Sequence, residues 1–376
     1  GLTGSGLTTP VSHDSATPAP PWTTPVSGTA TTLDDLQHAA FNARGLFLNA
    51  SNPEELVDSL TDAIADIDQR TAVSGTAIAI NSTVLRTTSL IFQASFNSVD
   101  WTGELKAFSL NADGTIDQEV WAATDNFPTV TDPDDRNIFT SVSTGGIAFD
   151  DNPANTELNT AIGTLTVGGT TYTAADLIHY IAGDQTEEGP GTDDLRERSE
   201  ILADIVSSSP ISVGDQDFGY DTLPGFTGTE GTSYITFLAA KNSTFTDANG
   251  DPQTAVYVGS NDGMLHAFHD SQSTSTDGNE LFAYIPSSLL SKLKDLANPA
   301  YAHEFFVNGN STVADACIED AGGTSCTWKT ILVGTLGEGG RTVFALDVTD
   351  PFTFTASDVL WEYNFDDTRT GTTHSA

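Results

Sequence analysis

Two histidines are the first residues whose spacing suggests chemistry. His266 and His269 lie three residues apart in the stretch LHAFHD, which we interpret as a β-strand. Residues three apart on a strand face opposite sides, so one metal ion cannot bind both. We therefore expect His266 to face the surface between two sheets and His269 to end its strand, with neither acting as a metal ligand.

A second candidate is a short run of oxygen-bearing side chains. Asp247, Asn249 and Asp251 alternate along DANGD, and this alternation is the opening pattern of a calcium loop. The residues that follow, PQT, do not supply the further ligands and the bidentate acid of an EF-hand. Two interpretations stay open here: a calcium site at these three residues, or a polar hairpin tip before the next strand.

Motifs for catalysis are absent from the sequence. It contains no G-x-S-x-G, no P-loop, no H-E-x-x-H and no G-x-G-x-x-G that follows a strand and opens a helix. Residues 337–340, GEGG, lie between two predicted strands and indicate a hairpin turn, not a phosphate-binding loop. We predict that the chain is not an enzyme, and calcium is the one cofactor that the sequence suggests.

The charge of the chain restricts its partners. Thirteen basic residues stand against 52 acidic ones, for a net charge of −39. Nucleic acid is excluded as a partner, because binding it requires a basic surface. No apolar run approaches the roughly 20 residues that span a bilayer, so we expect no membrane-spanning segment. The chain begins with Gly and has one methionine, Met264, which indicates an internal or processed piece of a longer protein.

The cysteine content indicates an oxidising compartment. Cys317 and Cys326 are the only two cysteines, and the loop between them is rich in Gly. We expect a local disulfide in an exported protein. The alternative, two free thiols in a cytosolic protein, fits the Ser-, Thr- and Gly-rich composition less well.

The first part of the chain divides into two segments. Residues 1–31 are rich in Gly, Ser, Thr and Pro and predict a linker or extended crossing segment. Residues 32–72 predict a helix, a strand at 45–50, and a second helix that begins near Pro53. This helix–strand–helix order is typical of the last piece of an α/β domain.

From residue 89 onward the apolar period changes to two, and the same three-stranded pattern occurs three times. The copies lie at residues 89–123, 255–286 and 329–365. In the second copy, Asn261-Asp262-Gly263 predicts a tight type I′ hairpin turn, since Gly adopts positive φ without strain. Residues 124–232 form an insertion, in which we expect helices at 174–183 and 195–205 and one irregular blade.

The three copies align in register. Their middle strands are LKAF at 105–108, LHAF at 265–268 and VFAL at 343–346, each with Ala at the third position. Their closing strands place Trp121, Phe282 and Trp361 at equivalent positions. Repeated antiparallel sheets with a periodic aromatic residue predict a mainly β fold, an incomplete β-propeller over residues 73–376. A β-sandwich with chance similarity is the alternative.

Several stretches resemble the PilC/PilY family of type IV pilus tip-associated adhesin and biogenesis proteins. The most specific are VYVGSNDGMLHAF at 256–268 and WKTILVGTLGEGGRTVFALDVTDP at 328–351. Three others, in the family's order, are LDDLQHAAFNARGLFLNASNPEEL at 33–56, FNSVDWTGELKAF at 96–108 and LRERSEILADIVSSSPISVG at 195–214.

The resemblance implies both a fold and a function. It implies that residues 32–72 are the C-terminal strand and helix of a von Willebrand factor A-like domain, followed by blades similar to those of quinoprotein dehydrogenases. It implies an extracellular place at the pilus tip with minor pilins, where the family promotes pilus biogenesis and attachment to host or abiotic surfaces, regulated in some members by calcium. Two alternatives remain: a quinone-dependent dehydrogenase-like propeller enzyme, and a generic extracellular propeller that binds glycans or proteins.

Overall fold

A computed structural model describes the second and larger part of the chain. The described residues are 24, 26–27, 73–80, 90–111, 115–222, 230–248, 250, 252–271, 277–319 and 326–365, with backbone alone for 73–80. The chain divides into two compact units, Gly1–Val73 and Ser74–Ala376, and the following description concerns the second. The predicted linker, apart from three residues, and the predicted von Willebrand factor A-like segment lie outside the described residues.

The first repeat forms a four-stranded sheet, here called sheet 1. Its strands are β1 (Val73–Ile80), β2 (Leu90–Asn97), β3 (Thr102–Leu110) and β4 (Ile116–Ala122), and they lie side by side in chain order. The β2–β3 hairpin ends in a tight tip at which the amide of Trp101 donates to the carbonyl of Asn97. Trp101 has a φ of 60°, and it is the only described residue other than glycine with a positive φ.

The second repeat forms the centre of a six-stranded sheet, sheet 2. Three strands match the predicted ones: β10 (Thr254–Gly259), β11 (Leu265–Asp270) and β12 (Glu280–Ile285). Three others come from the insertion, namely β5 (Ile138–Val142), β6 (Gly145–Ala148) and β9 (Ile211–Val213), giving the order β6-β5-β12-β11-β10-β9. The prediction of an irregular blade within the insertion is therefore wrong, because these strands extend sheet 2 at both edges.

The turn between β10 and β11 also differs from the prediction. Gly263 has a φ of 98°, while Asn261 and Asp262 are not among the residues with positive φ. A type I′ turn would need positive φ at both central residues. The amide of Gly263 instead donates to the carbonyl of Ser260, and a Cβ at Gly263 would meet Leu293 at 2.4 Å. Glycine is thus needed here, but for a different turn.

The third repeat forms sheet 3 with an added first strand. Its strands are β13 (Thr312–Glu319), β14 (Cys326–Thr335), β15 (Thr342–Asp347) and β16 (Val359–Asn364), in chain order and antiparallel. Cys317 and Cys326 form a disulfide across the β13–β14 hairpin, with their Cα atoms 5.3 Å apart. The predicted local disulfide is confirmed.

Helices and a small hairpin occupy the long connections. They are α1 (Thr156–Ile162), α2 (Ala174–Ala182), α3 (Glu230–Thr244), β7 (Leu165–Val167) and β8 (Thr170–Tyr172). The α2 helix confirms the prediction for 174–183. It begins with a capping box between Thr173 and Asp176, and it ends at Gly183 in the left-handed conformation.

The predicted helix at 195–205 is wrong. This segment is irregular, and its backbone groups bond to other parts of the chain instead of to the next helical turn. The amide of Arg196 donates to the carbonyl of Ala297, and the amide of Asp204 donates to that of Trp101. Leu202 and Ile205 are buried against sheet 1. Tertiary partners therefore replace the helical hydrogen bonds.

The predicted register of the repeats is confirmed by the strand pairing. Ala107 pairs with Trp121, Ala267 with Phe282, and Ala345 with Trp361, one pair in each sheet. In all three sheets the register shifts directly after this alanine. A β-bulge at the same place bends each closing strand in the same way, so the three sheets are versions of one structural unit.

Sheet 2 lies between the other two sheets. Its residues Val256, Val258 and Phe268 share a core with Phe92 and Trp121 of sheet 1. On its opposite face, Tyr257, Leu265 and Ala267 share a second core with Phe344 and Leu346 of sheet 3. Because neighbouring residues on a strand face opposite sides, one sheet can bury both faces. Consecutive stacking of this kind is the arrangement of propeller blades.

The aromatic residues of the closing strands differ in how they are covered. Trp121 donates from Nε1 to Asp270 of sheet 2 at 3.0 Å, and Phe282 stacks on Phe354 of the β15–β16 connection with ring centres 3.7 Å apart. Trp361, the equivalent residue of sheet 3, is 42% exposed. The repeat thus places an aromatic residue of each of the first two sheets against the sheet that follows.

Candidate functional site

Four charged side chains meet in the interior beside the β10–β11 turn, and we call them the buried quartet. They are Asp262 in the turn, His266 on β11, Glu280 at the start of β12, and Arg136 just before β5. The side chains of Arg136 and His266 are each 1% exposed, and that of Glu280 is 4% exposed. Segments that are far apart in the sequence therefore place four charged groups in one buried site.

The quartet forms a continuous chain of charge-assisted contacts. Arg136 donates from Nε and Nη2 to the two oxygens of Glu280, both at 2.7 Å. Nδ1 of His266 lies 2.7 Å from Oε1 of Glu280, and its Nε2 lies 3.0 Å from Oδ2 of Asp262. A bidentate arginine–carboxylate pair of this kind fixes orientation as well as charge.

The protonation states follow from the partners of each group. Burial disfavours the imidazolium, but Asp262 and Glu280 outweigh burial and raise the pKa of His266 to about 9. Burial likewise disfavours the carboxylate of Glu280, but Arg136 and His266 outweigh it and lower the pKa of Glu280 to about 2. At neutral pH His266 is therefore protonated and Glu280 is ionised, so the two form a buried ion pair.

This arrangement does not suit His266 for catalysis or metal binding. A general base or a metal ligand needs a free lone pair on a neutral imidazole nitrogen. Both nitrogens of His266 face carboxylates, and the ring packs against Phe127 at 6.3 Å in an edge contact. The expectation that His266 faces the surface between two sheets is confirmed. His269 faces the opposite side, where it contacts Phe352, although it lies within β11 and not at its end.

A second polar junction lies next to the quartet. The buried carboxylate of Asp204 accepts from Nδ2 of Asn261 at 2.6 Å and lies 2.8 Å from Nε2 of His303. The ring of His303 stacks on Trp101 with ring centres 3.7 Å apart. A positive φ at a bulky residue costs free energy, and the stacking on His303 and on Phe96 holds the Trp101 ring in place. The junction ties the tip of sheet 1 to the loops of sheet 2.

An open groove of about 390 Å³ lies on the outer side of this region. Its lining combines apolar side chains with hydroxyl, amide and acidic groups, among them Phe127, Val130, Thr131, Gln185 and Glu200. Burial and the nearby acids Glu104, Asp125 and Asp100 raise the pKa of Glu200. The groove is therefore acidic and able to form hydrogen bonds.

The sequence-predicted calcium residues stay a prediction. Asp247 lies in the connection between α3 and β10, where its carbonyl accepts from the amide of Gly250. Asn249 and Asp251 lie outside the described residues. Within the part of the chain that the structure describes, no group of three or more His, Cys, Asp or Glu side chains could hold a metal ion.

Sequence reasoning identified part of this site. It singled out Asp262 and His266, but as a turn former and a packing residue. The strand pairing places Phe268 opposite Glu280, so that Glu280 lies on the same face as His266. An acidic residue at the start of the closing strand is visible in the sequence and could have indicated this contact. Arg136 lies 144 residues before Glu280, and no local pattern connects the two.

Comparison with known proteins first defines the class. Residues 202–374 match the family described as the PilY1 beta-propeller domain, in agreement with the mainly β structure and the stacked sheets. The chain therefore falls in the class of β-propeller proteins. No helix among the described residues is long and apolar enough to cross a membrane.

Two named relatives match most of the chain, and one solved structure matches less than half of it. The chain is 31% identical over 362 residues to a type IV pilus biogenesis factor PilY1 homolog of Xylella fastidiosa, covering 85% of this chain and 23% of the relative. It is 33% identical over 360 residues to the type IV pilus biogenesis factor PilY1 of Pseudomonas aeruginosa strain PAK, covering 88% and 28%. The crystal structure of the Pseudomonas aeruginosa PilY1 C-terminal domain is 38% identical, covers 41% of this chain and 25% of that chain, and has a TM-score of 0.27.

The chain belongs to the PilY1 family. The predicted resemblance is thereby confirmed. The chain spans about a quarter of the length of the curated relatives that it matches.

Proposed function

We propose that this chain is part of a type IV pilus biogenesis factor that acts outside the cell at the pilus tip, without catalysis. The observation that carries the proposal is the extent of the similarity. Proteins named as type IV pilus biogenesis factors match 85% and 88% of this chain. The proposed partners are minor pilins at the tip and a host or abiotic surface.

The internal chemistry supports a role that is not enzymatic. The charged groups of the quartet are paired with one another, and His266 has no free nitrogen to accept a proton. The half-buried Glu362 of β16 likewise accepts from the amide and the hydroxyl of Ser287 and from the hydroxyl of Tyr284, all at 2.8–2.9 Å. These contacts hold sheets together, which is what a binding scaffold requires.

The experiment is deletion of the gene. Loss of surface pili and of twitching motility is expected, with pili returning when retraction is also disabled, because the protein is proposed to favour assembly over retraction. Normal piliation of the deletion strain would contradict the proposal. The dehydrogenase alternative has its own test: purified protein supplied with quinone, calcium and alcohols is expected to reduce no dye.

We also propose that calcium binds at Asp247, Asn249 and Asp251 and modulates this role. The support is the alternation of oxygen side chains in the sequence. Calorimetric titration with Ca²⁺ is expected to give binding that Asp251→Asn abolishes. Asp221→Asn, at an exposed acid elsewhere on the surface, is the matched control and is expected to leave the titration unchanged. If the two variants bound Ca²⁺ equally, the proposed site at these residues would be contradicted.

A further inference from the structure

Lys241 and Asp315 form an ion pair that is sealed from solvent. Lys241 lies on α3 and Asp315 lies on β13, and both side chains are 0% exposed. Nζ of Lys241 is 2.9 Å from Oδ1 and 3.2 Å from Oδ2 of Asp315. Because Nζ lies this close to both oxygens, the carboxyl carbon between them is within reach of the nitrogen.

Aromatic rings surround the pair. Nζ of Lys241 lies 5.1 Å from the ring centre of Phe218 and 5.9 Å from that of Phe237. Tyr234 packs against Trp328 with ring centres 4.5 Å apart. Both charged side chains are 0% exposed, and in such a buried site the separated charges of an ion pair are costly. Burial accordingly lowers the pKa of Lys241 even though Asp315 opposes that shift.

Two hydroxyl groups donate to the carboxyl group. Tyr234 donates to Oδ2 of Asp315 at 2.9 Å, and Thr330 donates to Oδ1 at 2.7 Å. Hydrogen bonds aimed at both oxygens withdraw electron density from the carboxyl carbon. They also stabilise the negative charge that develops on oxygen when a nucleophile adds to that carbon.

We propose that Lys241 and Asp315 condense spontaneously into an intramolecular isopeptide bond. Transfer of one proton from the ammonium to the carboxylate gives a neutral amine and a neutral carboxylic acid. The nitrogen lone pair then attacks the carboxyl carbon, a C–N bond forms, and one C–O bond breaks. The departing hydroxide takes a proton from the nitrogen and leaves as water, so that the balance is one amide formed and one water released.

Nothing further is needed for this step. No electron is transferred, and no metal or cofactor is required. Fixed geometry replaces the collision of two reactants, and the product removes two buried charges. The bond would tie α3 to β13 across 74 residues of sequence, two positions from the disulfide at Cys317.

The test is the intact mass of the full chain after reduction of the disulfide. The expected mass is lower than that of the sequence by one water, and proteolysis is expected to release a branched peptide that joins the segments around Lys241 and Asp315. Lys329 and Asp347 provide an internal control, because their ion pair lies in sheet 3 but its lysine is 34% exposed. A mass equal to that of the sequence, or the absence of the branched peptide, would overturn the proposal.

A variant separates this bond from other losses of water, such as succinimide formation at an Asp. Lys241→Arg keeps the positive charge but removes the primary amine. Its mass is expected to equal the mass of its own sequence, and its thermal midpoint is expected to fall below that of the parent protein. A Lys241→Arg protein that is still one water lighter would place the dehydration elsewhere and contradict the proposal.

Discussion

The buried quartet and the Lys241–Asp315 pair place charges in equally desolvated surroundings, yet burial has opposite outcomes. In the quartet, the pKa of His266 rises because two carboxylates contact the ring and outweigh burial. In the pair, the pKa of Lys241 falls because burial outweighs Asp315, the carboxylate in contact with it, together with the more distant Asp215 and Asp217. The difference lies in direct contact: two carboxylates touch His266, whereas one touches Lys241.

The largest expected effect comes from breaking the quartet at its centre. Glu280→Gln leaves Arg136 and His266 without their shared counter-charge, and breaking a buried pair from one side costs about 3–5 kcal/mol. Urea unfolding followed by tryptophan fluorescence measures the loss. The matched control is Glu119→Gln, which removes the exposed partner of Lys106 and is expected to cost at most about 1 kcal/mol. Equal losses for the two variants would show that the quartet is not a stabilising unit.

The next effect is a dependence of stability on alkaline pH. The pKa of His266 is raised from 6.5 to about 9, so its stabilising contribution is fully present below pH 6.5 and is lost as pH rises through 9. The size of this contribution is about 3 kcal/mol. Unfolding free energies measured across this pH range should decline in the parent protein, and the decline should be absent in His266→Gln. An unchanged decline in the variant would assign it to other groups.

Asp270 is a buried carboxylate that extends the comparison, because the groups that donate hydrogen bonds to it are neutral. Burial raises the pKa of Asp270 from 3.8 to about 6, although Trp121 and Thr254 donate hydrogen bonds to it. The stability that this group contributes is therefore fully present below pH 3.8 and is lost as pH rises through 6.

Asp270→Asn is expected to stabilise the protein at pH 7 by about 1–2 kcal/mol, since the amide oxygen still accepts from Trp121 and no charge is buried. Thermal unfolding at pH 4 and at pH 7 is the measurement, with the difference between the parent protein and Asp270→Asn appearing only at pH 7. A destabilised Asp270→Asn protein at pH 7 would indicate that the carboxylate has a cationic partner.

Much of the fold was predictable because its signals are local. Period-two alternation and the alanine–aromatic pattern gave the three sheets and their register, as the pairing of Ala107 with Trp121 shows. The failures arose where partners are distant. β5 joins β12 in parallel across 145 residues, as the bond from Thr140 to Ile285 illustrates. The segment at 195–205 has a helical composition, but loops far along the chain take its hydrogen bonds.

The candidate site was predictable to a lesser degree for the same reason. His266 and Asp262 stand out within one hairpin, and the register of β11 and β12 then brings in Glu280. Arg136 and the Lys241–Asp315 pair gave no signal, because each joins segments that are more than 70 residues apart. Only the folded arrangement shows that scarce basic residues of this acidic chain lie beside buried acids.

The proposed role in pilus biogenesis is tested most directly by counting surface pili in a deletion strain that carries different copies of the gene. The parent gene and Glu119→Gln are expected to restore the parental number, while Glu280→Gln is expected to restore fewer because the folded protein is less abundant. A second count with retraction disabled should bring pili back in every strain. A deletion strain that carries as many pili as its parent, with retraction active, would contradict the role.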